Sequence, residues 1–490
     1  MLFMTAIGLY TSRLILDVLG EVDYGIYNVV GGFVTVFSII SGTMTTATQR
    51  FLAFEIGKGD EGNVRSVFST SVIVHVILAF ITLIVAEAVG VWFINTHMNF
   101  PLERYEAANW VFHVSVATFI FSILSQPFNA AIVAYEKMSA FAYISIVDTI
   151  LKLIIVYLLI SVKSDKLVAY SILLAIISIL NCALYFFYVN RHFQDCRVER
   201  KVEKSTIKEM FSFVGWNMIG AMSWICKEQG VNIILNIYFG ATVNAARGIA
   251  YQVLGKVNTF SSNFQMALNP QIIKCYSSRD YSSMYKLVYR GSKLSYLLMM
   301  TLSLPIIILT PHILDIWLVD VPDYTTIFLQ LVLCTSMLRS LSGPLITTMQ
   351  ASGIVRNFQI VVGGVSLFTL PLVVLVLYLG FPPYSAMIVG LVMEVVCLFT
   401  RLLMLRQSIQ FPVMDFLKNV VFKVLVISVL SAFPPILLYY TLQLNVLSGI
   451  LIILLSLLSS CLISFYGGLN FHERLFVKEK ITIIVRKVLK

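Results

Sequence analysis

Hydrophobic residues occupy this chain in long, nearly uninterrupted segments, and polar residues collect in the short stretches between them. A helix needs about 20 apolar residues to cross the hydrocarbon core of a bilayer. By this measure the pattern predicts 14 membrane-spanning helices, and it is also compatible with 12 or 13. The predicted spans are 1–18, 25–54, 66–95, 108–134, 139–161, 167–189, 209–238, 242–271, 287–311, 325–351, 358–380, 384–405, 420–440 and 446–466.

The eighth predicted span, 242–271, departs from this pattern because polar residues recur along it at helical spacing. One face of the helix would carry Arg247, Tyr251, Gly255, Asn258, Ser262, Gln265 and Asn269. Beside that face lie Gln252, Lys256, Thr259 and Asn263. A lipid-facing helix does not tolerate such a stripe, since unpaired polar groups in hydrocarbon are costly. We therefore expect this face to line a water-filled cleft.

The two halves of the chain resemble each other weakly. Gly20 follows the first predicted span and Gly240 the seventh, while Asp60 follows the second and Asp280 the eighth. Six spans per copy is an even number, so both copies would enter the membrane from the same side, as a parallel repeat. The expected fold is all-α and integral to the membrane, with two six-helix lobes and two extra C-terminal helices. The expected segments are an N-terminal lobe at 1–190, a cytoplasmic linker at 191–208, a C-terminal lobe at 209–405, two additional helices at 406–466 and a basic tail at 467–490.

Composition agrees with a polytopic membrane protein. Of the 490 residues, 58% are hydrophobic and only 12% are charged, whereas soluble domains carry about 25% charged residues. Lys and Arg concentrate in the 190–208 and 272–286 loops and in the tail, which the positive-inside rule places in the cytoplasm together with both termini. The net charge of +10 reflects this topology and requires no nucleic-acid partner.

Charged residues inside predicted spans mark cavities or ion pairs, because each costs at least about 2.5 kcal/mol at the bilayer centre. Basic residues outnumber acidic ones there, in company with Asn, Gln, Ser and Thr. Such a cleft suits an anionic substrate, since Arg and Lys bind phosphate and the neutral polar groups suit sugar hydroxyls. Asp148 and Lys152, like Arg13 and Asp17, are four residues apart and can pair on one helical face. The acidic residues that could bind a coupling ion are Asp17, Glu87, Asp148 and Glu394.

Enzymatic and metal-binding signatures are missing from the sequence. It contains no G-x-x-x-x-G-K-[ST] motif for nucleotide phosphates and no H-E-x-x-H motif for zinc. We therefore predict neither catalysis, nor a cofactor, nor a bound metal. A membrane-embedded polysaccharide polymerase would need a large external loop, and none is predicted. A purely structural protein would have no use for charges within the bilayer.

Three strings of residues carry a resemblance to a known family. They read YTSRLILDVLGEVDYGIYNVVGG at 10–32, TQRFLAFEIGKGD at 48–60 and ILDIWLVDVPDY at 313–324. These strings resemble segments of the bacterial polysaccharide flippases, the O-antigen and exopolysaccharide translocases. That family shares a superfamily with the multidrug and toxin extruders and the lipid II flippases. The similarity extends along the whole chain.

The resemblance implies a V-shaped pair of six-helix lobes, often with two added helices, in the bacterial inner membrane. It implies a flippase that moves undecaprenyl-diphosphate-linked oligosaccharide units across the bilayer for O-antigen, capsule or exopolysaccharide synthesis. It also suggests the polysaccharide polymerase and chain-length machinery as protein partners. By position, the basic residues implied to hold the diphosphate are Arg13, Arg50, Lys227, Arg247 and Lys256. Further candidates for contacts to the diphosphate or sugar are Gln252, Asn258 and Asn263.

The expected mechanism is alternating access, in which the two lobes rock and expose the cleft to one side and then to the other. An ion gradient or the membrane potential would supply the energy. The main alternative is an ion-coupled multidrug or cation antiporter of the same fold. Such an antiporter would require an acidic or aromatic cleft, whereas the sequence predicts a basic one.

Overall fold

The protein is predominantly helical, without β-strands, in the part of the chain that its computed structural model describes. That part comprises residues 7, 10–11, 14–15, 17–20, 23–27, 30, 38–59, 62–97, 102–163, 165–198, 204–318, 320–442, 445–468 and 474. The helices are α1 Ser38–Gly57, α2 Val64–His97, α3 Tyr105–Ala134, α4 Met138–Ser161, α5 Lys166–His192, α6 Lys204–Phe239, α7 Ala241–Ser277, α8 Tyr281–Trp317, α9 Thr325–Ser340, α10 Ser342–Ser352, α11 Val355–Leu367, α12 Thr369–Tyr378, α13 Ser385–Ile409, α14 Val413–Phe416, α15 Lys423–Thr441 and α16 Val446–Ile463.

Among the described residues, ten helical segments are long and apolar enough to cross a membrane, which makes this a multi-pass membrane protein. They are Val64–Trp92, Tyr105–Ala134, Met138–Ser161, Lys166–His192, Tyr281–Trp317, Thr325–Ser352, Val355–Tyr378, Ser385–Ile409, Val413–Thr441 and Leu447–Gly468. Helices α1, α6 and α7 coincide with the second, seventh and eighth predicted spans and are more polar. The first predicted span lies largely outside the described residues. Fourteen spans therefore remain compatible with the structure.

Two predicted spans are each interrupted in the structure. The tenth becomes α9 and α10, which meet at Leu341, and the eleventh becomes α11 and α12, which meet at Phe368. In each case a proline follows three residues later, Pro344 and Pro371. Proline has no N–H to donate to the carbonyl four residues earlier, and its ring crowds that carbonyl, so the helix breaks or bends just before it.

The chain divides into two compact units. The first unit contains residues 1–218 and 273–279, and the second contains 219–272 and 280–490. Helices α6 and α7 therefore contribute to both units. In the second unit, α15 and α16 pack against each other and against α8. The lobe boundaries expected from the sequence remain a prediction.

One end of the first unit is held by Arg104, which lies just before α3. Its guanidinium forms ion pairs with Asp23 and Asp165, and its Nε donates to Asp23 Oδ1 at 2.8 Å. Partial burial disfavours the charge of Arg104, but the two carboxylates hold its pKa above the ordinary value. The three residues lie in the loops after the first, third and fifth predicted spans. These loops therefore share one end of the unit, as the predicted topology requires.

The opposite end of the first unit collects the remaining loops. Lys274 Nζ lies 2.7 Å from Glu136 Oε1 and joins the end of α7 to the α3–α4 loop. The ring of Tyr135 stacks on Phe193 beyond α5, with centroids 4.3 Å apart. Alternate loops thus meet at opposite ends, which agrees with consecutive helices that cross the membrane in opposite directions. The cytoplasmic assignment of one of these ends remains a prediction.

Backbone angles support the internal repeat. Gly20 and Gly240, which end equivalent predicted spans, have φ values of +78° and +80°. Gly59 and Arg279, at the next equivalent turn, have φ values of +66° and +59°. Such left-handed conformations are uncommon outside glycine, so their recurrence at matched positions is informative. The two halves of the chain turn in the same way after equivalent helices.

Gly57 of α1 lies against Lys274 and Ser277 at the end of α7, and we predict that Gly57→Ala destabilises the protein. A Cβ at this position would lie 2.7 Å from Lys274 Cα and 2.8 Å from Lys274 O. Ser277 Oγ donates to Phe54 O at 2.5 Å and holds the two helices together. Overpacking of this kind costs about 1–3 kcal/mol. The measurement is the midpoint of thermal unfolding in detergent.

The matched control is Gly42→Ala on the same helix, where an added Cβ would meet no atom within 4 Å. Equal unfolding midpoints for the two variants would contradict the close approach at Gly57.

Candidate functional site

A cavity of about 230 Å³ lies within the second unit, among helices α6, α7, α9, α12 and α13. Each of these helices contributes side chains that are unusual for a membrane interior. The polar and aromatic members of the lining are Trp224, Lys227, Glu228, Arg247, Tyr251, Asn258, Thr335, Ser336, Arg339, Thr369 and Glu394. Three basic and two acidic side chains line the cavity, so its lining is net positive.

Glu228 of α6 is the centre of a hydrogen-bonded network. Its Oε1 lies 2.9 Å from Lys227 Nζ, and its Oε2 accepts from Arg247 Nη2 at 2.7 Å. The hydroxyl of Tyr251 also donates to Oε2 at 2.7 Å. The Arg247 guanidinium lies over the ring of Tyr251, 4.3 Å from the centroid. The Glu228 carboxylate is therefore fully engaged by one hydroxyl and two cations.

The second acidic residue of the lining is also paired. Arg401 of α13 donates through Nη1 to Glu394 Oε1 at 2.8 Å and to Ser342 Oγ at 2.8 Å. The side chains of Glu394 and Arg401 are each only 9% exposed. Because a buried charge is stable only when it is paired, this bridge neutralises Glu394 within the protein.

Arg339 differs from the other charged residues of the lining. It is exposed to the cavity, and no ion pair with it occurs among the described residues. Its guanidinium lies over the indole of Trp224, 5.0 Å from the ring centroid, in cation–π contact. This contact orients the guanidinium without neutralising its charge, so Arg339 can bind an anion.

The predicted polar face of the eighth span, now helix α7, divides into two parts. Its first part lines the cavity through Arg247, Tyr251, Gly255 and Asn258, as expected. In its second part, two amides are hydrogen-bonded to neighbouring helices of the second unit. Gln265 donates to Ser295 Oγ and to the carbonyl of residue 340, and Asn269 Oδ1 accepts from the hydroxyl of residue 347. Helix contacts within the second unit, rather than water, satisfy these amides.

The other predicted substrate-binding residues are dispersed. Arg13 lies outside the described residues. Arg50 is buried in the first unit, where its guanidinium lies 4.6 to 5.4 Å from three phenylalanine ring centroids. Lys256 and Gln252 are exposed on α7 and do not line the cavity, and Asn263 donates to a backbone carbonyl one turn earlier at 2.6 Å. Only Lys227, Arg247 and Asn258 of the predicted set come together here.

The acidic residues proposed for ion coupling also lie apart. Asp17 is exposed. Glu87 Oε2 lies 2.7 Å from Nδ1 of His113 on α3. Asp148 pairs with Lys152 on α4 at 2.8 Å, as its spacing predicts. These three carboxylates belong to the first unit, whereas Glu394 lines the cavity of the second. Any role in ion coupling remains a prediction.

The predicted set of substrate-binding residues omits two residues of this site. Arg339 and Glu228 were recognisable as charges within predicted spans, but nothing in the sequence aligned them with Arg247. The signal that would have found Arg339 is its position one turn after Thr335 and Ser336, which gives α9 a short polar face. Their meeting at one cavity depends on the packing of α6, α7 and α9.

Comparison with known proteins identifies the fold. No family model and no curated protein matches the sequence. A multidrug resistance MATE family transporter of the MOP superfamily, solved in an outward-facing conformation, matches at TM-score 0.68 and 15% identity, covering 83% of this chain and 92% of that chain. The MATE multidrug transporter DinF-BH, solved as a complex with a ligand, matches at TM-score 0.64 and 16% identity, with 83% and 92% covered.

A third structure is a MOP superfamily transporter from Pyrococcus furiosus, described as having a binding pocket of reverse polarity that suggests a different function. It matches at TM-score 0.59 and 14% identity, covering 84% of this chain and 94% of that chain. The chain therefore has the all-helical fold of MATE transporters, and the predicted fold class is confirmed. Because one fold can serve different substrates, function has to be argued from the site.

Proposed function

We propose that this protein is a transporter that works by alternating access and whose substrate carries an anionic group. More specifically, we propose that it is a flippase for polyprenyl-diphosphate-linked oligosaccharide. One observation carries it: in the cavity of the second unit both carboxylates are neutralised by basic partners, while Arg339 keeps its charge available. Among the described residues of the lining, an incoming cation would find no free carboxylate, whereas an incoming diphosphate would find a free guanidinium.

The chemistry of the lining fits a diphosphate. Guanidinium groups bind phosphate oxygens through two parallel hydrogen bonds, and Arg339 presents such a fork over Trp224. The Lys227 ammonium, shared with Glu228, adds a second positive group on the same wall. Within a low-dielectric cavity these charges act more strongly than in water. The three resembling sequence strings point in the same direction.

The second candidate is the ion-coupled multidrug or cation antiporter. The structural comparisons favour it, since two of the matched proteins are described as multidrug transporters. The cavity also offers Trp224 and Tyr251, whose ring faces attract organic cations, together with Glu228 and Glu394. For this function, one of the two ion pairs would have to open to admit the cation.

Deletion of the gene separates the two functions. For a flippase, we expect lipid-linked oligosaccharide to accumulate in the inner leaflet and surface glycan to disappear, because the diphosphate headgroup cannot cross the bilayer alone. Leaflet position can be measured in spheroplasts by the access of a lectin to the glycan, before and after permeabilisation. Restoration by the plasmid-borne gene is the control.

An antiporter gives the opposite pair of results. The deletion strain would then retain more of a fluorescent organic cation such as ethidium, and its lipid-linked oligosaccharide would be distributed as in the parent strain. That outcome would overturn the flippase proposal and establish the second candidate.

A further inference from the structure

A second cavity, of about 570 Å³, lies within the first unit among helices α3, α4 and α5. It is larger than the cavity of the second unit, and its lining has a different chemistry. Besides one Asp–Lys pair, most of its polar groups are hydroxyls and amides. A lipid-facing surface would not carry them, because each polar group left without a partner in hydrocarbon costs free energy.

Helix α3 supplies the longest polar face of this cavity. Thr118, Ser122, Gln126 and Asn129 line it at intervals of four, four and three residues, which places them on one side of the helix. The Thr118 hydroxyl donates to a backbone carbonyl one turn earlier at 2.8 Å. Its oxygen lone pairs stay available to accept hydrogen bonds from a ligand.

The facing wall is formed by α4 and α5, and its charges cancel. Lys152 Nζ lies 2.8 Å from Asp148 Oδ2, and Asn181 Nδ2 donates to Asp148 Oδ1 at 2.6 Å. The other amide atom of Asn181, Oδ1, is buried and has no hydrogen-bond partner among the described residues. A small cation would have to displace Lys152 from Asp148, whereas an uncharged ligand would leave the ion pair intact.

Two tyrosines complete the lining. Tyr27 and Tyr185 both border the cavity, and Asn129 Nδ2 lies 3.4 Å from the Tyr185 hydroxyl. Aromatic faces suit the apolar faces of sugar rings, and hydroxyls and amides suit their equatorial hydroxyls. The volume also exceeds what a single ion or water needs. The ligand that satisfies all of these features is uncharged, cyclic and rich in hydroxyl groups.

We propose that the cavity of the first unit is a binding site for an uncharged saccharide. The inference rests on the proposed function in that the saccharide would be the sugar portion of the lipid-linked substrate. The inference goes further than the proposed function because it assigns the two parts of the substrate to two different cavities. The net-positive cavity of the second unit takes the anionic group, and the net-neutral cavity of the first unit takes the sugars.

The test uses the full-length protein in detergent and N,N′-diacetylchitobiose, an uncharged disaccharide called chitobiose below, observed by saturation-transfer NMR. Wild-type protein should transfer magnetisation to the sugar protons. In the double variant Thr118→Val/Ser122→Ala, chitobiose should bind about 30-fold more weakly, because two hydrogen bonds of about 1 kcal/mol each are lost. Asn129→Leu, as an independent variant, should weaken binding in the same direction.

The matched control is Thr400→Val, at a partly exposed threonine of α13 that also donates one turn back at 2.8 Å and lies outside both cavities. It should bind chitobiose as wild type does. Folding of every variant is verified by its thermal unfolding midpoint. Farnesyl diphosphate serves separately as the probe for the anion site of the second unit. Sodium titration of wild type shows whether the cavity takes a cation instead.

The outcomes separate this inference from the proposed function. Undiminished chitobiose binding in both cavity variants would overturn it, as would stabilisation by sodium with no sugar signal. If chitobiose behaves as expected but farnesyl diphosphate does not bind, the saccharide site stands and the anionic-substrate proposal fails. If only farnesyl diphosphate binds, the proposed function stands and the saccharide site is wrong.

Discussion

Arg339→Glu should reduce export of lipid-linked oligosaccharide by at least about tenfold while leaving protein abundance unchanged. Arg339 is the charged side chain of the cavity that is exposed and has no ion pair among the described residues, so its reversal breaks no internal bridge. A single charge interaction at 4 Å is worth about 4 kcal/mol at an effective dielectric constant near 20, and about 1.4 kcal/mol already corresponds to tenfold. Surface glycan and membrane protein level are measured together.

Two further variants test whether the effect of Arg339→Glu comes from the charge in the cavity. Arg339→Lys should keep part of the activity, because an ammonium still attracts phosphate but cannot bind it through a fork. Arg406→Glu reverses the charge of another exposed arginine of the second unit, outside the cavity, and should export normally. Normal export by a stably expressed Arg339→Glu variant would remove the anionic-substrate argument.

Arg247→Ala should instead lower the stability of the protein. Its side chain is 9% exposed and bridges Glu228 at 2.7 Å, so its removal leaves a carboxylate in the protein interior with Lys227 and Tyr251 as its remaining donors. Breaking a buried ion pair costs about 3–5 kcal/mol, and the remaining donors place the expected loss near the lower limit. The unfolding midpoint in detergent and the abundance in membranes should both fall.

The double variant Arg247→Ala/Glu228→Gln distinguishes a structural bridge from general damage. The stability that it loses should be smaller than the sum of the losses in Arg247→Ala and Glu228→Gln measured alone, because each single variant already breaks the same bridge. Arg406→Ala is the surface control and should be neutral. If the losses of the two single variants simply add up in the double variant, the bridge to Glu228 is not what stabilises this region.

The membrane helices could be predicted from the sequence because each one is recognisable from its own residues. An apolar segment of sufficient length is evident without its neighbours, and the turn positions at Gly20 and Gly240 already showed the repeat that the backbone angles support. The breaks near Pro344 and Pro371 could also have been predicted from the missing N–H donor. They were overlooked because a hydropathy pattern does not distinguish one helix from two collinear ones.

The candidate site was only partly predictable. The polar face of α7 indicated that Arg247 and Asn258 line a cavity, but the same pattern suggested a cleft for Gln265 and Asn269. A polar stripe shows that a helix face avoids lipid. It does not show whether water, a ligand or another helix satisfies the polar groups, because the partner is distant in sequence.

By itself, the sequence determined that the protein is helical, crosses the membrane many times and carries more basic than acidic groups within the bilayer. These properties depend on composition and on spacing along one helix. Tertiary structure alone decided which charges remain available. Glu228 and Glu394 are neutralised by Arg247 and Arg401, while Arg339 is left open to the cavity. The strength of a buried charge is set by the distance to its partner, and packing between helices fixes that distance.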